Sequence, residues 1–302
     1  MNESPSRENG RPTVTIILIV YNQEKYVRQA IQAAFAQTYS PLMIAISDDA
    51  STDPTFEIVQ EMCAAYRGPH AVSCSRNEVN LGISAHVDSV NRRAQGELIV
   101  ACAGDDISVP HRVERLVDAY LRSGRRSHYF YSLVREMSES GELGNDFQSP
   151  GAGAAKSKLR CALSIFPLAI GASQAWTKHF VNAFEPMRPS VWAEDQIFGF
   201  RGMLLGPVSF IDEPLVYYRN ASGVSNITTG ISFKRYLRKQ VNRLAIFPQR
   251  ASDAFAMKER ILGCVILAKF AILVLLFPLS PFFSMVRIWQ MKRRAHSKSL
   301  ST

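Results

Sequence analysis

Basic residues are scarce where a nucleic-acid binder would carry them. Only 21 of the 35 Lys and Arg precede residue 234, together with 24 of the 26 Asp and Glu, so the body of the chain is slightly acidic. The formal net charge of +9 comes from the C-terminal quarter, where 14 basic residues stand against 2 acidic ones. That distribution argues against nucleic acid as a partner and directs the tail towards an anionic membrane surface. Cysteine is sparse as well. Its 5 copies are odd in number and no two have metal-ligand spacing, which argues against a thiolate metal centre or a disulfide framework and fits reduced thiols in the cytosol. No internal repeat is visible. Residues 1–12 are polar and carry no apolar signal, so they are expected to be disordered. What the chain has is a hydrophobic content of 47% and a charged content of 20% over 302 residues, enough for a full core in one large domain with a small appendage.

Strands and helices alternate. Residues 13–20 are rich in β-branched side chains and predict a first strand, followed by a helix over 24–37 whose Tyr26, Ala30, Ile31, Ala34 and Phe35 share one face. A short strand over 42–47 precedes a helix opened by Asp53-Pro54, an N-cap followed by the residue best suited to the first helical position. A strand at 71–75, a helix that residues 80–84 lead into and that runs through about 94, a strand from 98 and a helix at 110–121 continue the pattern, and a strand follows at 127–134. Residues 141–157 are Gly-, Ser- and Ala-rich and read as a mobile loop. A helix from 192 to 204 and two strands at 208–211 and 214–219 complete the domain. This alternation defines an α/β class, a doubly wound and mostly parallel sheet with helices on both faces. Ligands bind such sheets beyond the carboxyl ends of the strands.

The stretch from Leu98 to Ile107 is the centre of the reading. It is an apolar strand that runs into Gly104-Asp105-Asp106. Two adjacent carboxylates repel unless a cation lies beside them, and a divalent ion is the common solution. The alternative is a solvated turn in which one of the acids caps the following helix.

Several motifs agree with that stretch in order and spacing. Val14-Thr15-Ile16-Ile17-Leu18-Ile19-Val20-Tyr21-Asn22, Gln37-Thr38-Tyr39, Ser47-Asp48-Asp49-Ala50-Ser51-Thr52-Asp53, Asn80-Leu81-Gly82 and Gly104-Asp105-Asp106 together resemble the family-two inverting nucleotide-sugar glycosyltransferases of GT-A fold. The resemblance runs over residues 14–219. It implies a GT-A fold and transfer of a sugar, with inversion, from a nucleotide diphosphate to a hydroxyl of a glycan or lipid-linked acceptor. It assigns Tyr21 and Asn22 to the nucleotide, Asp48 and Asp49 to the base, Asn80 and Gly82 to a close backbone approach, and Asp105 to the ribose. It makes Asp106 the ligand of Mg²⁺ or Mn²⁺, and Asp195, with Glu194 beside it, the base that takes the acceptor proton. Arg219 is expected on the diphosphate, and Trp176 and Trp192 on the acceptor sugar. Two departures stand out. Many relatives carry an acid where this chain has Ala103, and a His where it has Asn220. No Gly/Arg/Lys-rich phosphate loop follows the first strand, which sets aside a nucleotidyltransferase. A catalytically silent protein of the same fold, binding nucleotide or glycan, is the alternative.

The expected organisation is a disordered 1–12, a GT-A domain over 13–222 (donor half 13–125, acceptor half 126–222) and a membrane-associating helical tail over 231–302. Residues 261–286 are almost wholly apolar, with Lys269 the single charge, and Pro278 and Pro281 interrupt them. Basic flanks on both sides favour a re-entrant or interfacial helix–break–helix on the cytoplasmic face of the membrane, with a single span as second choice.

Overall fold

A computed structural model describes residues 10–191, 194–219 and 233–276. The expectations for residues 1–9, for Trp192, and for the Pro278–Pro281 break and everything else beyond 276 lie outside the described residues.

In chain order the elements are β1 (Val14–Val20), α1 (Val27–Phe35), β2 (Leu42–Asp48), α2 (Thr55–Ala65), β3 (Ala71–Arg76), α3 (Ile83–Arg93), β4 (Leu98–Ala103), β5 (Ile107–Ser108), α4 (Arg112–Arg122), β6 (Tyr129–Met137), β7 (Leu143–Phe147), α5 (Lys158–Leu163), β8 (Gln174–Thr177), α6 (Lys178–Asn182), α7 (Asp195–Leu205), β9 (Val208–Arg219), α8 (Phe233–Ala256) and α9 (Arg260–Leu276). The sheet runs β3-β2-β1-β4-β8-β6-β9-β5, with β7 paired to β6. β3, β2, β1 and β4 are mutually parallel, and β8 runs antiparallel between β4 and β6.

Both faces of β1 are covered, as a central parallel strand requires. Ile16, Leu18 and Val20 enter one core with Val27 and Ile31 of α1 and Val113 and Leu116 of α4. Ile17 enters the other, with Val87, Ile99, Trp176, Phe180, Phe198 and Phe247. The α4 residues Val113, Leu116, Val117 and Tyr120 recur at helical spacing and are all buried, which is why this stretch is helix.

Four expectations change. Residues 10–12 are fixed on the domain: Arg11 pairs with Glu114 at 3.1 Å, and the Tyr39 hydroxyl donates to the Pro12 carbonyl at 2.6 Å. Residues 141–157 hold β7 and a short 3-10 turn, because pairing with β6 and the Arg135–Asp146 ion pair at 2.6 Å supply anchors that the composition hides. The two strands expected at 208–219 are one, β9, whose register against β6 shifts between Ile211 and Val216 and so absorbs Pro214. The helices expected in the tail also pack on the domain: Ile246, Phe247, Ala251 and Ala254 of α8 and Ile266 of α9 are buried in the second core. Among the described residues no helix is long and apolar enough to cross a membrane.

Candidate active site

The parallel register sets three strand ends level. Val20 lies opposite Asp48, and Ile19 opposite Ala103. The Asp49 N–H donates to the Val20 carbonyl at 3.0 Å and the Gly104 N–H to that of Ile19 at 3.1 Å, so the loops after β1, β2 and β4 close on one another. Asn22 and Ala50 both hold left-handed backbone, φ 51° and 59°, an uncommon conformation for non-glycine residues that clusters at functional sites. Asn22 is fixed there by accepting the Thr52 N–H on Oδ1 at 2.8 Å while its own N–H donates to Ser51 Oγ at 2.9 Å.

A cavity of about 500 Å³ opens at this edge, and its walls come from both halves of the chain. Tyr21, Asn22, Asp105 and Asp106 line it together with Pro167, Gly171 and Asp195. Tyr21 is 45% exposed, a ring with a free face. Asp106 is buried. Desolvation, and then the charge of Asp105, push its carboxyl well above the ordinary range, although it accepts the Arg219 N–H at 2.8 Å. A buried acid beside a second acid at a cavity wall fits a divalent cation. Among the described residues no group of three or more His, Cys, Asp or Glu is placed to hold a metal ion.

At the same cavity α7 begins at Asp195. Burial raises Asp195 to about 6, and burial with the neighbouring Asp195 charge raises Glu194 to about 8. Gly171 leaves room for the pair: a Cβ there would stand 3.3 Å from Glu194 Oε1.

The remaining expected residues serve the loops instead. Asp48 is fully buried, with both oxygens taken by the N–H and hydroxyl of Ser51. Asp49, 3% exposed, accepts from Asn77 Nδ2 at 2.8 Å, Leu81 N–H at 2.9 Å and Gly82 N–H at 2.9 Å. It therefore secures the turn before α3. Asn80 donates to the Asp49 carbonyl at 3.1 Å, and Gly82, at φ 78°, takes a backbone conformation that a side chain would strain. Arg219 is buried, and its guanidinium donates to the carbonyls of Asp105, Ser138 and Glu139 and to Gln29 Oε1 while lying 4.4 Å over the Tyr26 ring. Trp176 is 1% exposed, edge-on to Phe198, with Nε1 donating to Asn91 at 2.9 Å; a ring in the core presents no face to a sugar.

Sequence reasoning missed several residues. Gln23, Tyr26 and Tyr218 line the cavity and carry no motif of their own. Arg112 is buried behind Asp106 and donates to Ser108 Oγ at 2.9 Å and the Ala172 carbonyl at 2.6 Å. The Tyr129 hydroxyl is buried without a hydrogen-bond partner among the described residues, within electrostatic reach of Asp195. Arg250 of α8 donates to the Gln196 carbonyl in the first turn of α7. A lone buried cation on a distant helix leaves no local signal.

A mixed α/β sheet with a carboxylate pair at a central strand end and a second acid in the same cavity is the GT-A class. Residues 15–146 match the model of Glycosyl transferase family 2. It is 32% identical over 121 residues to the putative glycosyltransferase EpsE of Bacillus subtilis, covering 40% of this chain and 42% of that one. The chain spans about two fifths of the length of such curated relatives. The fold matches S. aureus TarS residues 1-349 at TM-score 0.60 and 17% identity, over 86% of this chain and 70% of that chain. It also matches the mannosyltransferase PcManGT of Pyrobaculum calidifontis, solved with GDP-Man and Mn²⁺, at TM-score 0.57 and 15% identity, over 93% and 81%.

Proposed function

We propose that the protein is an inverting, metal-assisted glycosyltransferase, moving a sugar from a nucleotide-diphosphate donor to a hydroxyl of a glycan or lipid-linked acceptor, in surface polysaccharide synthesis at the cytoplasmic face of a membrane. The observation that carries this is the single cavity shared by Asp106 and Asp195. TarS has been solved with UDP-GlcNAc and PcManGT with GDP-Man, which supports a nucleotide-sugar donor.

The Tyr21 ring stacks on the base, and the loop held by Asn22, Asp49 and Gly82 shapes the nucleotide pocket. Asp105 takes the ribose, and Asp106 would hold Mg²⁺ or Mn²⁺, which would supply positive charge to offset that of the diphosphate leaving group. Asp195 is ionised at neutral pH and accepts the acceptor's proton as its oxygen attacks the anomeric carbon from the face opposite the diphosphate. Glu194, raised to about 8, is protonated there, which limits the Glu194–Asp195 pair to one negative charge.

The test is donor turnover across a panel of UDP-, GDP- and dTDP-sugars with Mn²⁺, with and without a lipid-linked acceptor mixture. Asp195→Asn should bind donor yet fail to turn it over. Donor binding without turnover by the wild-type protein under every condition would leave only the silent binding protein.

A further inference from the structure

Helix α9 has its polarity inverted for a helix in water. Ile261, Val265, Ile272 and Leu275 recur on one stripe and are 83%, 38%, 56% and 77% exposed, with Cys264 and Ala268 also exposed between them. Lys269, the only charge after Arg260 in this helix, is turned inward, donating to the Leu163 carbonyl at the end of α5 and lying 5.5 Å over the Phe247 ring. The opposite side is already used: Ile266 is fully buried, and Leu262, Phe270 and Leu273 pack on the second core. A helix that is apolar all round and covered on one side only has a second apolar phase to meet.

Charge identifies that phase. Lys258 and Arg260 stand exposed at the start of α9, and the sequence from 277 on carries five Lys or Arg and no acid. Beside α9, α5 exposes Leu159, and Phe166 just beyond it is 47% exposed. Pro167, the next residue, lines the cavity. At 17 residues the described helix is about 25 Å long, suited to lying along a headgroup plane.

We propose that the exposed stripe of α9, continued by Leu159 and Phe166, is a docking face for an anionic phospholipid surface, placing the cavity mouth beside the lipid. A second copy of the chain would meet the same cations with its own and gain no charge complementarity. The proposal deepens the membrane location given under the proposed function and is independent of the transfer chemistry, so vesicle binding and turnover can fail separately.

The full-length chain is sedimented with vesicles of phosphatidylcholine, with and without phosphatidylglycerol. Binding is expected to phosphatidylglycerol vesicles, weakened by salt and by their absence. Ile261→Glu and Ile272→Glu, each at an exposed position, should lower partitioning by about tenfold or more while leaving the melting temperature unchanged. An environment-sensitive label on Cys264, in a Cys74→Ser background, should shift to the blue on vesicle addition. Undiminished binding by the Glu variants, an unshifted label, or a concentration-dependent dimer that excludes vesicles would each overturn the proposal.

Discussion

Arg219 donates its backbone N–H to Asp106 Oδ1 at 2.8 Å and its Nε to the Asp105 carbonyl at 3.1 Å, so the end of β9 holds the carboxylate pair from behind. The remaining guanidinium donors reach Ser138, Glu139 and Gln29. Arg219→Lys keeps the charge but loses the fork. It is expected to lower stability by about 2 kcal/mol, because buried carbonyls lose their donors, and to weaken binding of nucleoside mono- and diphosphates alike. Melting curves paired with nucleotide titrations check this. Loss confined to diphosphates, at unchanged stability, would instead make Arg219 a direct phosphate ligand.

Asp106 and the cation are separable from the fold. Asp106→Asn removes the buried charge and keeps the oxygen that accepts from Arg219. The variant should be at least as stable as wild type, since desolvation already disfavours the carboxylate. It should lose the rise in melting temperature that Mn²⁺ with a nucleoside diphosphate gives the wild type by mass action, and it should lose turnover by about a hundredfold or more. A preserved Mn²⁺-dependent shift would relocate the metal.

The Glu194–Asp195 pair gives a pH signature with a definite sign. Both groups are raised, to about 8 and about 6, above unfolded values of about 4.3 and 3.9, so the folded chain holds protons that the unfolded chain has released. The associated stability is complete below about pH 4 and is lost as pH rises through 6 and then 8. Turnover moves the other way, rising through about pH 6 as Asp195 ionises. Asp195→Asn should lower kcat by about a hundredfold or more. Glu194→Gln should keep the acid limb and flatten the stability loss near pH 8. Rate and melting temperature measured from pH 5 to 9 decide it.

How much of this was legible in the chain depends on the range of the interaction. The carboxylates after β4 were readable because an apolar parallel strand must end at the ligand edge, and one residue of register places Asp105 and Asp106 there. Asp53 was readable as a helix starter for the same local reason, and it does accept the Thr55 N–H at 3.0 Å. The burial of Trp176 and the partners of Arg219 were not readable because they are set by residues 85 and 113 positions away. Asp48 and Asp49 look alike in sequence, yet the turns of Ser51 and of Leu81–Gly82 decide which N–H groups each one meets. The tail was legible only in part: the hydrophobicity of 261–276 is real, but one side of the helix faces the core through Ile266, which composition does not separate from the exposed side.

Trp176 offers a direct check on that correction. Trp176→Phe should cost about 1–2 kcal/mol, from the lost hydrogen bond that leaves Asn91 Oδ1 unpaired and from a smaller ring in the second core. The KM for acceptor should not move. Thermal melting and acceptor titration on the same preparation test it, and a raised acceptor KM at unchanged stability would return this ring to the site.

Arg250 ties the C-terminal helices to catalysis. Its guanidinium donates to Gln196 O at 2.5 and 3.2 Å, to Cys161 O and Ala162 O at 3.1 Å, and to Ser164 O at 2.6 Å, while its charge acts on Asp195 to lower its pKa against the effect of burial. Removing that charge should carry Asp195 further up, so Arg250→Met is expected to move the acid limb of kcat to higher pH and reduce kcat more than KM. Arg250→Lys retains the charge without the fork. It should return the limb to about pH 6 while kcat stays below wild type, because the first turn of α7 is then held at fewer points. A purely structural role would lower melting temperature in both variants and leave the pH profile of the folded fraction where it was.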